Sequence, residues 1–327
     1  MGGLLDYIKI QKYGIKVWTV VISIIILCIL PTIKPPGYFI HLINWIFMYS
    51  ILAESFNIIA GIAGQFSLGH AMFFGLGAYT ATFMALAGYP FIVSVLAGGI
   101  VALLFSFPIG YVTLKTREIY FAMATLAAAE IFRLIFTFRP ELGGAIGLSL
   151  PITYYTESFY YYFWLAIFLA TVTTTWLIIN SRFGLALMSI RDNELAALVN
   201  GVNITWYKVI AFAVSSFFPG LAGAVYAYYI GHVSPDSVFS AMISIDMQVM
   251  SILGGLGTVS GPILGAGILT ILSEWIGYTM PEIHLLIDGV IMAAVMILMP
   301  EGLAGLLKYV RYIPKASRMK IGGVSHG

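Results

Sequence analysis

The residues of this chain that could do chemistry are few, and most stand in apolar company. Gln65, Ser67 and His70 lie close together, with Gly64, Gly69, Gly75 and Gly77 among Phe66, Leu68, Met72, Phe73, Phe74 and Leu76. A glycine inside a helix costs about 1 kcal/mol relative to alanine, and a plain lipid-spanning helix has no use for a polar cluster. Both features fit a segment that breaks inside a membrane protein, because irregular backbone at membrane depth survives only where protein or a water cavity satisfies it. The three polar side chains would then either line a path or merely satisfy the freed backbone.

Ionisable residues at apparent membrane depth are Glu54, Glu130, Arg133, Glu274 and Asp288. Such groups are expensive in lipid and usually face a bundle interior. Glu130 and Arg133 are three apart, share a helix face and can pair. Glu54 has no local cation and shares a face with Asn57 and Ile58. Lining a path, bonding another helix and snorkelling from a helix end all remain open for it. No phosphate-cradling loop ending in Gly-Lys-Ser/Thr occurs. Neither Gly75-Leu-Gly77 nor Gly255-Leu-Gly257 opens a helix in a βαβ unit, and no His/Cys cluster has metal-ligand spacing. Nothing argues for an enzyme, a bound metal or a cofactor. The single cysteine, Cys28, excludes an internal disulfide.

The elements that must position these residues follow from composition. Of 327 residues 60% are hydrophobic and 9% charged, with a mean hydropathy of +0.97, where soluble domains carry roughly 25% charge. The chain reads as all-α, a polytopic membrane helical bundle forming one domain over 1–327. The net charge of +2 is scattered through short loops and gives no footing for nucleic acid. Apolar runs separated by charge and Gly/Pro breaks predict about ten spans, some of them Gly-rich, broken or re-entrant: 17–31, 38–60, 69–88, 91–112, 118–138, 159–179, 206–230, 244–256, 261–278 and 284–304. The eighth is short and could be re-entrant. Lys9, Lys12 and Lys16 before the first run resemble a signal peptide, but Pro31 to Pro36 offers no small-residue cleavage site, so a retained first helix is expected.

With the N-terminus inside, alternation brings Lys115, Arg182, Arg191, Lys208 and the basic tail Lys308 to Lys320 to the cytoplasmic side, as the positive-inside rule asks. Both termini and the 181–205 loop are therefore expected in the cytoplasm. Small residues recur every fourth position in Gly77/Ala81/Ala85, in Gly98/Ala102/Ser106/Gly110 and in Ala211/Ser215/Pro219/Gly223/Ala227, which predicts close helix contacts. A faint echo relates Gly64-Gln-Phe-Ser67 with Gly69 to Gly257-Thr-Val-Ser260 with Gly261. Paired Gly-interrupted segments of this kind point to a transport site. Within the loop, residues 191–199 read as a short amphipathic helix stopped by Gly201.

Several motifs in order carry a resemblance: Gly64-Gln-Phe-Ser-Leu-Gly-His70-Ala71, Arg117-Glu-Ile-Tyr-Phe-Ala122, Gly143-Gly144 with Gly147-Leu148, Ser181-Arg-Phe-Gly184, Ile190-Arg-Asp192, Ala196-Ala197-x-x-x-Gly201 and Gly254-Gly255-Leu256-Gly257 with Gly261-Pro262. From about Asn57 to Gly305 the chain resembles the LivM-type permease subunits of ABC importers for branched-chain amino acids. Leu142, Leu185 and Pro219 depart from that family's pattern. The resemblance implies a multi-pass protein of a prokaryotic cell membrane. Its partners would be a second permease subunit, two cytoplasmic ATP-binding subunits and an extracytoplasmic substrate-binding protein, and its substrate an amino acid. On this reading Gln65, Ser67, His70, Glu54 and Asn57 belong to the translocation path and Gly64, Gly69, Gly254, Gly255, Gly257 and Gly261 are its glycines. Arg191, Asp192, Glu194, Ala196, Ala197 and Gly201 would couple to the ATPase. Relatives that carry urea or amides keep the substrate open. The rival class is a stand-alone ion-coupled carrier using Glu54, Glu130 or Asp288, which would have no need of an ATPase dock.

Overall fold

The computed structural model describes residues 25–33, 35–116, 118–151 and 155–280, with 282, 283, 286, 287, 289–291, 293 and 294 beyond them. The expected spans 17–31 and 284–304 fall largely outside these residues, as does Asp288. What is described is a helical bundle. Helix α1 (Gly37–Asn57) continues into a π-helical turn (Ile58–Ile62). Then come α2 (Ala71–Leu86), α3 (Phe91–Thr113), α4 (Glu118–Phe138) and α5 (Glu157–Ile179). A loop of two short helices, α6 (Arg182–Asp192) and α7 (Glu194–Val199), leads to α8 (Ile204–Ile230). After α8 come α9 (Pro235–Val238), α10 (Ala241–Gly254) and α11 (Ser260–Thr279).

Among the described residues six helical stretches are long and apolar enough to cross a membrane: Gly37–Ile62, Phe91–Thr113, Ile119–Phe138, Glu157–Ile179, Ile204–Ile230 and Pro235–Gly254. The run read as a short eighth span belongs to the last of these, because α9 leads directly into α10. Helix α2 has 16 residues and is shorter than a crossing needs. A two-stranded antiparallel ribbon was not expected: β1 (Leu148–Ser149) pairs with β2 (His232–Val233), in register Leu148↔Val233.

Helix α8 is the centre of the bundle, packed against α2 and α3. The small-residue stripes explain how. A methyl on Gly77 would collide with the Gly220 carbonyl, one on Gly223 with the Phe74 carbonyl, and one on Gly220 with Ala102. The three backbones touch where side chains would hold them apart. Lipid gives no hydrophobic drive between helices, so this van der Waals contact does the work.

The loop helices owe their limits to side-chain caps. Ser181 Oγ accepts from Gly184 N (3.1 Å) and Asn203 Oδ1 from Trp206 N (3.3 Å). Asn193 Oδ1 accepts from Ala196 N (3.0 Å), which starts α7 at Glu194. The single helix expected over 191–199 is therefore two helices, because Asn193 leaves helical geometry to cap the second. Gly201, at φ +81°, ends α7 as expected, and its N–H donates to the Leu198 carbonyl (2.9 Å).

Candidate functional site

A proline builds one side of the site. Pro219 lies inside α8 and has no N–H for the carbonyl of Ser215, one turn earlier. Ser55 Oγ on α1 donates to that carbonyl instead (2.7 Å). Ser215 Oγ donates to the Phe212 carbonyl (2.9 Å), which leaves it as acceptor for the His70 Nε2–H at 3.2 Å. The ring of His70 is boxed edge-on by Phe56, Phe73 and Phe212. Pro219, one of the departures from the family pattern, thus frees the acceptor that ties α1 to α8.

The opposite side is two chain breaks held together. Asn57, the last residue of α1, donates through Nδ2 to Glu54 Oε2 and to the Thr258 carbonyl, both at 2.9 Å, and accepts at Oδ1 from Gly257 N (2.7 Å). The π-turn after Asn57 then abuts Gly257: a methyl on Gly61 would collide with Asn57 Oδ1 and Gly257 N. Gly255 and Gly257 both have positive φ, +115° and +76°. Gly254 and Gly261 face each other so closely that a methyl on Gly254 would strike the Gly261 carbonyl. Single π-turns within helices recur at functional sites.

Between the two sides runs the segment 63–70. Its backbone is anchored by Thr125 Oγ1, which accepts from Leu68 N (3.1 Å), and by Ser244 Oγ, which accepts from Ala71 N (2.9 Å) and so satisfies the start of α2. Gly69 passes so near the Thr125 carbonyl that no side chain fits there. Gln248 Nε2 reaches the Ser67 carbonyl (3.4 Å).

The five residues expected along a path are all buried: Glu54, Asn57, Gln65, Ser67 and His70 are each no more than 1% exposed, and of these Asn57 and Glu54 are in direct contact. Glu54 Oε1, Gln65 Oε1, Ser67 Oγ and His70 Nδ1 are buried with no hydrogen-bond partner among the described residues. Buried polar atoms are normally paired, so these four atoms stand out as polar groups the described residues leave unsatisfied. Sequence reasoning missed Ser55, Thr125, Ser215, Ser244, Gln248 and Thr258. Only Ser215 had a local signal, its place four residues before Pro219.

The predicted coupling residues divide. Arg191, its side chain still 39% exposed, reaches the π-turn, where its Nη1 donates to the Gly61 carbonyl (2.6 Å). Glu194 accepts from Lys208 Nζ on α8, a side chain buried at 2% exposure. Ala197 is buried against its own chain, whereas Ala196 is exposed. The face that α7 leaves uncovered is apolar: Leu195, Leu198 and Val199 are 75%, 56% and 88% exposed. Elsewhere, Glu130 pairs with Arg133 at 2.5 Å as its spacing predicts, and Arg133 also holds Asp236 (2.6 Å). Among the described residues no group of three or more His, Cys, Asp or Glu side chains could hold a metal ion.

Long apolar helices, backbones in contact and two breaks pinned to each other define a multi-pass helical membrane protein with a polar interior. A protein-family profile, described as branched-chain amino acid transport system / permease component, matches residues 38–299. The chain belongs to that family. It is 28% identical over 288 residues to the high-affinity branched-chain amino acid transport system permease protein LivM of Salmonella typhimurium, covering 78% of this chain and 67% of that one. It matches LivM of Escherichia coli to the same extent. A shorter stretch of 111 residues, 33% of this chain and 31% of the relative, is 33% identical to the autoinducer 2 import system permease protein LsrC of Yersinia pseudotuberculosis. No solved structure matches the chain.

Proposed function

We propose that this protein is the permease subunit of an ABC importer for branched-chain amino acids, crossing a prokaryotic cell membrane about ten times with both termini in the cytoplasm. It works with a second permease subunit, two cytoplasmic ATP-binding subunits and an extracytoplasmic substrate-binding protein. Glu54, Asn57, Gln65, Ser67 and His70 line the path. Their four open polar atoms replace part of a solute's hydration, and the paired breaks allow the chain to rearrange around it. Alternating access is driven by ATP hydrolysis in the partners.

The observation that carries this reading is the uncovered apolar face of α7. A connection between spans needs only a few residues, yet 181–203 builds two capped helices that display Leu195, Leu198 and Val199. Leu195, Leu198 and Val199 make a contiguous exposed apolar patch on one short helix, and such patches mark interaction sites. Leu198→Glu places a charge on that face without disturbing α8, and it should leave the permease in the membrane while abolishing capture of the ATP-binding subunit and uptake of leucine. Full capture and full uptake by Leu198→Glu would remove the dock and favour an ion-coupled carrier. For such a carrier Glu130 is already committed to Arg133, which leaves Glu54 as the candidate among the described residues. The likeness to an autoinducer 2 permease over part of the chain makes the choice of solute a separate question. Competition of leucine uptake by isoleucine, valine, urea and acetamide answers it.

A further inference from the structure

Arg191 stands where three parts of the chain meet. It lies at the end of α6, and its Nη1 donates to the carbonyl of Gly61 in the π-turn at 2.6 Å. Two glycines close on the same side chain. A methyl on Gly64 would lie 2.6 Å from Arg191 Cγ, and one on Gly257 would lie 3.3 Å from Arg191 Nη1. These are the corresponding glycines of the sequence echo, and both hold left-handed backbone, at φ +73° and +76°. Asn57 fixes the second glycine from behind by accepting its N–H and donating to the next carbonyl. Asp192 Oδ1 approaches the guanidinium at 3.4 Å. One planar cation therefore touches the loop, the first break and the second break. A guanidinium is suited to this, since its donors are held in a rigid fork.

We infer that Arg191 is the positioning residue through which movement of the 181–205 loop reaches both breaks. The inference rests on the coupling role proposed above and reassigns Arg191 within it, from the rim of the ATPase dock to the link behind it. Displacing α6 draws on the Gly61 carbonyl through Nη1 and shifts the stem lying against Gly64 and Gly257. The two breaks then move together, because Asn57 binds one to the other. Spatial adjacency alone does not establish such coupling, so the test must read coupling itself.

The experiment uses the complete transporter in vesicles, with Arg191→Ala and Arg191→Lys beside wild type. Capture of the ATP-binding subunit, ATP hydrolysis and leucine taken up per ATP are measured. Arg191→Ala is expected to keep capture and hydrolysis while uptake per ATP falls about fivefold or more. Arg191→Lys, with the charge and reach but not the fork, falls between. Uptake per ATP unchanged in Arg191→Ala would overturn the inference, and so would loss of capture, which would place Arg191 in the dock. If Arg191→Ala does not accumulate in the membrane, Arg191→Lys decides, and wild-type coupling in it overturns the inference. Failure of the underlying functional reading shows separately, as a wild-type protein that captures no ATP-binding subunit.

Discussion

Glu194 and Lys208 form an ion pair in which the lysine is buried at the base of α8 and the carboxylate caps it from α7. The pair seats the short helix on the bundle. Removing the carboxylate strands an ammonium that the chain has already taken out of water. Glu194→Ala is expected to cost about 1–3 kcal/mol, read as a lower apparent melting temperature of the purified protein. A buried cation removed together with its partner leaves no such debt. Lys208→Met should therefore restore most of the loss in the Glu194→Ala background. Equal melting temperatures for wild type and Glu194→Ala would show that the pair holds nothing in place.

Ser55 and Pro219 make a second, independent cycle. In the wild-type chain Ser55→Ala leaves the buried Ser215 carbonyl without its side-chain donor, at about 1–3 kcal/mol. In a Pro219→Ala background the new N–H at 219 can close the helical bond to Ser215, and Ser55→Ala should become nearly neutral. Thermal unfolding of the four variants gives the interaction energy. An identical cost of Ser55→Ala in both backgrounds would contradict the role assigned to the proline.

Two glycines on α11 should behave oppositely. A methyl on Gly265 meets the Met250 carbonyl and the Gly254 N, while nothing lies within 4 Å of one on Gly267. Gly265→Ala forces α10 and α11 apart and should cost about 1–3 kcal/mol. Gly267→Ala should be neutral or gain up to about 1 kcal/mol from helix propensity. The same melting assay orders them, and Gly267→Ala as the more damaging change would refute the packing described.

Much of the bundle was legible in the sequence because its signals are local. Four-residue spacing of Gly, Ala and Ser announced close packing by α2, α3 and α8, though not that they pack on one another, and three-residue spacing announced Glu130 with Arg133. The polar trio at 65, 67 and 70 was read as interior because lipid would not accept it. What stayed hidden was non-local. Nothing near Arg133 points to Asp236, more than a hundred residues on, and nothing near Asn57 points to Gly257. The bond from Arg191 to the Gly61 carbonyl was invisible for the same reason, since the two are 130 residues apart. The break between α6 and α7 was legible in principle: Asn193 followed by Glu194 is a helix-starting pair, but the amphipathic pattern runs across it.

The contact of α2, α3 and α8 sets what this protein is able to move. Helices slide past one another when the side chains between them can exchange rotamers, small steps summing to a shear. At Gly77, Gly220 and Gly223 there are no such side chains, only backbone carbonyls of the neighbouring helix and the rigid methyl of Ala102 in contact. A translation there would drive peptide groups into each other with nothing to yield. The trio is thus a keystone that turns as one piece, and freedom to rearrange is left to the jointed segments beside it, the π-turn and the glycine break at 255–257.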